Sequence, residues 1–256
     1  MLTATSRSRW IVPARATEGR IRLFCVPYAG GGPSVFRTWP DRMSSDIEIW
    51  SVHLPGRETR VNEPAIGDLP SLIRALSKAI EPYLDRSFAL FGHSIGALIA
   101  FELARELRRG GSFLPDHLFV SACPAPQVVD TDRISDLSED AFFDRLQQFN
   151  GTPPEVMAHP ELMALMVPTL RADFALRDTY RHVSAPPLQC SISAFAGSDD
   201  VIVKAEALEG WSEQTDRQFH LWRLPGDHFF LRDAHNPLVS IVSRVLQGGM
   251  RPEARD

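Results

Sequence analysis

The stretch Gly92-His93-Ser94-Ile95-Gly96 constrains this chain more than any other, because it follows an apolar run, Phe88-Ala89-Leu90-Phe91, and opens a helix-periodic segment from Ala97 to Leu107. A serine with a glycine two residues to either side, at a strand-to-helix turn, is the nucleophile elbow. The glycines have a steric reason: the turn is so tight that a Cβ at either position would meet neighbouring backbone, and the hydroxyl is left projecting into open space. By composition alone such a pattern turns up on the order of once in ten chains of this size, so its surroundings decide its meaning. After Gly96, the apolar Leu98, Phe101 and Leu107 mix with Glu102, Arg105, Glu106, Arg108 and Arg109, and the segment stops at Gly110-Gly111. That is the pattern of one amphipathic helix ended by glycine.

A serine hydroxyl is a weak nucleophile at neutral pH and needs a histidine base, itself oriented by a carboxylate. In a doubly wound sheet the order expected after the elbow is serine, acid, histidine, with both partners on loops at the carboxyl ends of later strands. The run Leu188 to Ala196 reads as a strand leading into Gly197-Ser198-Asp199-Asp200, and Gln218 to Leu224 reads as a shorter strand leading into Pro225-Gly226-Asp227-His228. Asp200 and His228 are the expected acid and base for Ser94. Asp199 is the nearest rival for the acid, Asp227 a weaker one, and a polar turn without a catalytic role is the plain alternative for 197–200. Of the other histidines, His93 lies inside the elbow and His53 at another strand end, while His117, His159, His182, His220 and His235 have no matching position after a late strand.

Attack by serine also requires two backbone amides aimed at the developing oxyanion. One is expected from Ile95, the residue after the nucleophile. The other is expected from Ala29, in the loop Pro27-Tyr28-Ala29-Gly30-Gly31-Gly32 that follows the strand-like run Ile21 to Val26. The same glycine-rich loop could cradle a phosphate, but it has neither Gly-x-Gly-x-x-Gly spacing nor a Gly-Lys-Ser/Thr ending.

About sixty residues separate the strand-like run His117 to Ala122 from the one at Leu188 to Ala196, far more than a crossover helix needs. Ser138 can cap a helix bearing Phe142, Leu146 and Phe149; Gly151-Thr152-Pro153-Pro154 breaks it; Pro160-Glu161 starts a longer helix with Leu162, Leu165, Met166, Leu170 and Phe174. Helices packed on the sheet are one reading, and an insertion at about 126–186 forming a lid over Ser94, part of it mobile, is the other. With 256 residues, 44% of them hydrophobic, the chain is expected to fold as a single α/β domain over 1–256.

The net charge of −5, with basic residues spread along the chain, gives no nucleic-acid signature. Met1 to Gly19 lacks the apolar core of a signal peptide and no later run is long enough for a membrane span, so a cytoplasmic protein without a membrane partner is expected. Cys25, Cys123 and Cys190 lie in or at the ends of apolar strands without Cys-x-x-Cys spacing, as reduced core residues do, and no metal is expected.

Five segments in order, Pro27-Tyr28-Ala29-Gly30-Gly31-Gly32, Leu54-Pro55-Gly56-Arg57-Glu58, Phe91-Gly92-His93-Ser94-Ile95-Gly96-Ala97, Pro168-Thr169-Leu170-Arg171-Ala172-Asp173 and Gly226-Asp227-His228-Phe229, resemble the type II thioesterases. These are stand-alone α/β-hydrolases that accompany polyketide synthases and nonribosomal peptide synthetases. The resemblance runs from about Trp10 to about Val245. It implies a mostly parallel, doubly wound sheet with a helical lid insertion, Ser94 as nucleophile, Asp200 as acid, His228 as base, and Ala29 with Ile95 as oxyanion donors. Where the family more often has methionine this chain has Ile95, a departure of little weight because the backbone amide acts. The implied activity is hydrolysis of acyl groups from the phosphopantetheine arm of an acyl or peptidyl carrier protein, with no cofactor of the enzyme's own, by a monomer. A medium-chain fatty acyl carrier-protein thioesterase and a small-molecule carboxylesterase share the same residues and stand as alternatives. The family motifs also suggest Arg57 and Arg171 as residues that dock an acidic carrier, with internal salt bridges as the alternative for each.

Overall fold

The computed structural model describes residues 8–15, 18–111, 113–128, 132–233 and 235–248. Seven strands form one sheet: β1 (Ile11–Pro13), β2 (Ile21–Val26), β3 (Ile47–Val52), β4 (Phe88–His93), β5 (His117–Ser121), β6 (Ser191–Gly197) and β7 (Phe219–Leu224), in the spatial order β1-β3-β2-β4-β5-β6-β7. β1 pairs antiparallel with β3 at the edge, and all other neighbours are parallel. The expected α/β-hydrolase architecture is therefore present. The strand-like run from Leu188 enters the regular ladder only at Ser191, Leu188 itself making an isolated bridge to Thr215.

Successive strand residues face opposite sides of a sheet, and here both sides are buried. Phe24, Val26, Leu90, Leu118, Val120, Ile192 and Ala194 pack on one face with helices α1 (Leu69–Ile80) and α2 (Ile95–Arg109). Leu23, Cys25, Ala89, Phe91, Phe119 and Phe195 pack on the other, against the C-terminal helix of the described residues (Leu238–Leu246), Phe36 and Trp39. This is why Leu23 to Val26 of β2 and Phe88 to Phe91 of β4 read as continuous apolar runs. Helix α1 begins where Asp68 accepts a hydrogen bond from the Ser71 amide, with proline in its first turn.

The chain leaves β2 toward β3 on one side and returns to β4 on the other, so the winding reverses between β2 and β4. Ligand sites in such sheets lie outside the carboxyl ends of the strands at that reversal. The loop carrying Ala29 follows β2, and Ser94 follows β4.

Between β5 and β6 lie α3 (Glu139–Phe149), α4 (Pro154–Met157) and α5 (Pro160–Asp178); a further short helix, α6 (Glu206–Glu209), follows β6. Ser138 caps α3, accepting from the Ala141 amide. Pro153-Pro154, expected only as a break, opens the single turn α4, because proline is tolerated where a helix has no amide to satisfy. Ile134, Phe142, Leu146, Met163 and Leu170 give this segment a small core of its own.

The inner half of α5 is tied to the sheet. Thr169 donates to the Gly56 carbonyl at 2.7 Å, and Arg57 makes two hydrogen bonds to Asp173, at 2.8 and 2.9 Å, with side-chain exposures of 5% and 3%. Asp173 also accepts from the Gly30 amide at 2.7 Å. Arg171 donates to the carbonyls of Ser135 and Leu137 and lies over the Phe142 ring. Both arginines suggested for docking are thus occupied inside the protein, which corrects that expectation: the segment's polar backbone and the buried Asp173 needed cationic partners more than the surface did.

A buried pair that loses one charge is costly, at about 3–5 kcal/mol. Asp173→Asn is therefore expected to lower the denaturation midpoint strongly in urea. Arg109→Ala, which breaks the exposed pair with Glu106, should move it little.

Candidate active site

The turn after β4 is as tight as the sequence implied. A Cβ on Gly92 would lie 2.1 Å from the Gly96 carbonyl oxygen, and one on Gly96 would lie 2.3 Å from that of Val26. No side chain fits at either point. Ser94 between them has φ 55°, a left-handed conformation rare outside glycine, held because its amide donates to the Ser121 carbonyl at 2.8 Å and α2 starts directly after it. The strained backbone points Oγ away from the sheet.

His228, on the loop after β7, reaches that oxygen: Nε2 lies 3.1 Å from Ser94 Oγ. Its Nδ1 lies 2.8 Å from Oδ2 of Asp200, on the loop after β6. A carboxylate only accepts, so Nδ1 carries the proton and Nε2 is left as acceptor for the serine hydroxyl. The other oxygen of Asp200 accepts from the amides of Ile202 and Val203 at 2.8 and 2.9 Å, and its side chain is fully buried. Those two bonds fix the carboxylate so that its other oxygen faces the imidazole. The rivals are elsewhere: Asp199 bonds the Gly226 amide and Ser198 at the surface, and Asp227 caps the Phe229 amide.

The amide of Ile95 opens α2 and so has no acceptor within its helix. The amide of Ala29 makes no hydrogen bond among the described residues. Ile95 and Ser94 share the wall of a cavity of about 640 Å³, also lined by Leu98, Cys123, Val128 and Tyr180. Ala29 and Ser94 share a second cavity, of about 490 Å³, walled by Phe149, Met166, Leu170 and Phe174 of the segment between β5 and β6. Both cavities reach His228. A reacting carbon at Ser94 would have room on either side for its two substituents.

Several contributors escaped the sequence reading. In the sequence Asp173 is only the end of a motif, whereas in the structure it accepts from the amide of Gly30, the residue after Ala29. Arg232 lies over the rings of Tyr28 and Phe229, donating to the Tyr28 hydroxyl at 3.1 Å and to the Gly151 carbonyl at 2.5 Å, so it joins the β2 loop to the segment after α3. Nothing in the spacing of Arg232 announces that bridge. Cys25 and Cys190 are core residues, whereas Cys123 lines the larger cavity; burial pushes its thiol up to about 12 and keeps it protonated. Among the described residues no group of three His, Cys, Asp or Glu is placed to hold a metal ion, and no helix is long and apolar enough to cross a membrane.

Similarity to known proteins extends over nearly the whole chain. The gramicidin S biosynthesis protein GrsT of Aneurinibacillus migulanus is 39% identical over 96% of this chain and 97% of that protein. The thioesterase RedJ from the prodiginine pathway of Streptomyces coelicolor superposes with a TM-score of 0.83 at 34% identity, covering 88% of this chain and 85% of RedJ. BorB, the type II thioesterase of the borrelidin biosynthetic cluster, superposes with a TM-score of 0.84 at 32% identity, covering 94% and 99%. The family described as Thioesterase domain matches residues 21–246, the span that holds strands β2 to β7, the elbow and both loops that meet it, and the chain belongs to that family.

Proposed function

We propose that this protein is a type II thioesterase that hydrolyses acyl groups from the phosphopantetheine arm of carrier proteins and so clears stalled or misprimed polyketide or nonribosomal peptide assembly lines. The observation that carries the reading is the chain Ser94–His228–Asp200, with links of 3.1 and 2.8 Å, where two cavities meet in a member of the thioesterase family. The pathways in which GrsT, RedJ and BorB take part support the choice of substrate.

In this reading Ser94 Oγ attacks the thioester carbonyl while its proton passes to His228 Nε2, and the Ala29 and Ile95 amides receive the oxyanion. The tetrahedral intermediate collapses by expelling the sulfur of the arm, which takes the proton from His228. A thiol's pKa lies more than about five units below that of an alcohol, so departure needs little help. Water then attacks the acyl-serine, giving its proton to His228, and the acid leaves as Ser94 is reprotonated. Asp200 stabilises the imidazolium formed in both halves. Pantetheine enters as part of the substrate, and the chemistry draws on no further group. The helices between β5 and β6 act as a lid, and the enzyme works as a cytoplasmic monomer on an acyl or peptidyl carrier.

A serine-directed phosphonate is expected to label Ser94 alone, and Ser94→Ala to abolish both labelling and hydrolysis; modification at another serine, or turnover by the variant, removes the nucleophile assignment. Asp200→Asn should lower kcat by about a hundredfold to ten-thousandfold, while Asp199→Asn leaves it nearly unchanged. The reverse result would make Asp199 the acid.

Editing also requires tolerance. One methylene in an apolar pocket contributes about 1–3 kcal/mol, a factor of about 10 to 200, so kcat/KM on carrier-bound acetyl and propionyl groups should differ by no more than about two orders of magnitude. A sharp preference for medium-length chains selects the fatty acyl reading, and equal rates on a thioester and its matching oxoester select the carboxylesterase.

A further inference from the structure

His93 lies beneath the site and is fully buried, yet the proposed chemistry does not use it. Its Nε2 is 2.8 Å from the main-chain carbonyl oxygen of His228, and its Nδ1 is 2.9 Å from Ser121 Oγ. A carbonyl oxygen can only accept, so Nε2 carries the proton. Nδ1 is then the acceptor, and the Ser121 hydroxyl donates to it. Burial and the neighbouring His228 hold the His93 pKa well below the usual histidine range, which keeps the ring neutral and this arrangement intact. His93 and His228 are accordingly opposite tautomers, one protonated on Nε2 and the other on Nδ1.

Ser121 is also the residue whose carbonyl receives the Ser94 amide at 2.8 Å. The contacts close a ring: Ser94 to Ser121 through the backbone, Ser121 to His93 through side chains, the His93 side chain to the His228 main chain, and the His228 ring back to Ser94 Oγ at 3.1 Å. His93 is covalently next to Ser94, so the ring ties the histidine-bearing loop after β7 to the elbow after β4 across two intervening strands. The rings of Tyr28 and Phe230 pack edge-to-face with the imidazole, centroids 5.9 and 5.5 Å away. Asp200 orients the His228 ring, but nothing in that contact sets how far the ring stands from Ser94. We infer that His93 is a positioning residue that sets the distance between base and nucleophile by holding the His228 main chain. The inference rests on the reading of Ser94 and His228 given above.

The test compares His93→Leu, which removes both hydrogen bonds, with His93→Gln, whose amide N–H can still donate to the His228 carbonyl. Displacing a reacting group by about 1 Å costs on the order of a hundredfold. His93→Leu should therefore lower kcat by about tenfold to a hundredfold on an acyl-carrier substrate, leave KM within about twofold, and slow phosphonate labelling of Ser94 in parallel. His93→Gln should recover most of that loss. Ser121→Ala, a smaller change that leaves the fold least disturbed, should give a fall in kcat of lesser size with the same unchanged KM. In the unmutated protein, ¹⁵N spectra of the histidine rings should show Nε2–H for His93 and Nδ1–H for His228. A His93→Leu protein that melts earlier but keeps its kcat, a glutamine variant as slow as leucine, or a His93 ring protonated on Nδ1 would overturn the inference. Ser94→Ala run beside them separates the two levels: if it still turns over, the failed assignment is the nucleophile.

Discussion

The fixed point of this structure is the absence of room around one turn. Gly92, Gly96 and the end of β2 approach until backbone touches backbone, and the chain can pass only with Ser94 in a left-handed conformation. That one contact decides two things together. It places Ser94 directly before the first turn of α2, whose leading amide, that of Ile95, has no acceptor within the helix, and it brings the end of β2 against the elbow, so that Ala29 in the loop after β2 lines a cavity with Ser94. Strain stored at Ser94 is balanced by the two large apolar faces that clamp β2 and β4 from either side.

A second constraint comes from charge. Arg57 and Asp173 are buried where neither would be stable alone, and each is made tolerable by the other and by backbone partners. The pair joins the loop after β3, the loop after β2 and the inner turn of α5 at one place. As a result the segment between β5 and β6 is not uniformly attached: its C-terminal half is held by ions and hydrogen bonds, while Leu162 and Leu165 on its outer half face solvent.

Most of the sheet and the order of the site were legible because they rest on local rules. Apolar runs of strand length, glycines around a serine, a capping Ser138 and a proline at a helix start are each decided within a few residues. Asp200 and His228 could be singled out because turn residues after late strands are few. What was not legible depended on long-range pairing. For Arg57 the sequence leaves docking and an internal salt bridge both open, because its partner Asp173 lies more than a hundred residues away and only the fold brings the two together. His93 looked like a passenger in the elbow, since its partners are a strand-end hydroxyl and the main chain of a distant loop, neither of which leaves a trace in spacing. Arg232 bridges two loops through a hydroxyl and a carbonyl, and carbonyls belong to every residue.

The two cavities that converge on Ser94 are built from different parts of the chain. One is bounded by the loops after β5 and β6 and the end of α5, the other by the β2 loop and the inner surfaces of α3 and α5. Residues such as Phe149 and Met166 touch only the second, and Val128 and Tyr180 only the first. Mutational drift in one wall can therefore reshape the space on its own side of the serine while the opposite side keeps its dimensions. A lineage built on this plan can exchange one half of its substrate and remain faithful to the other.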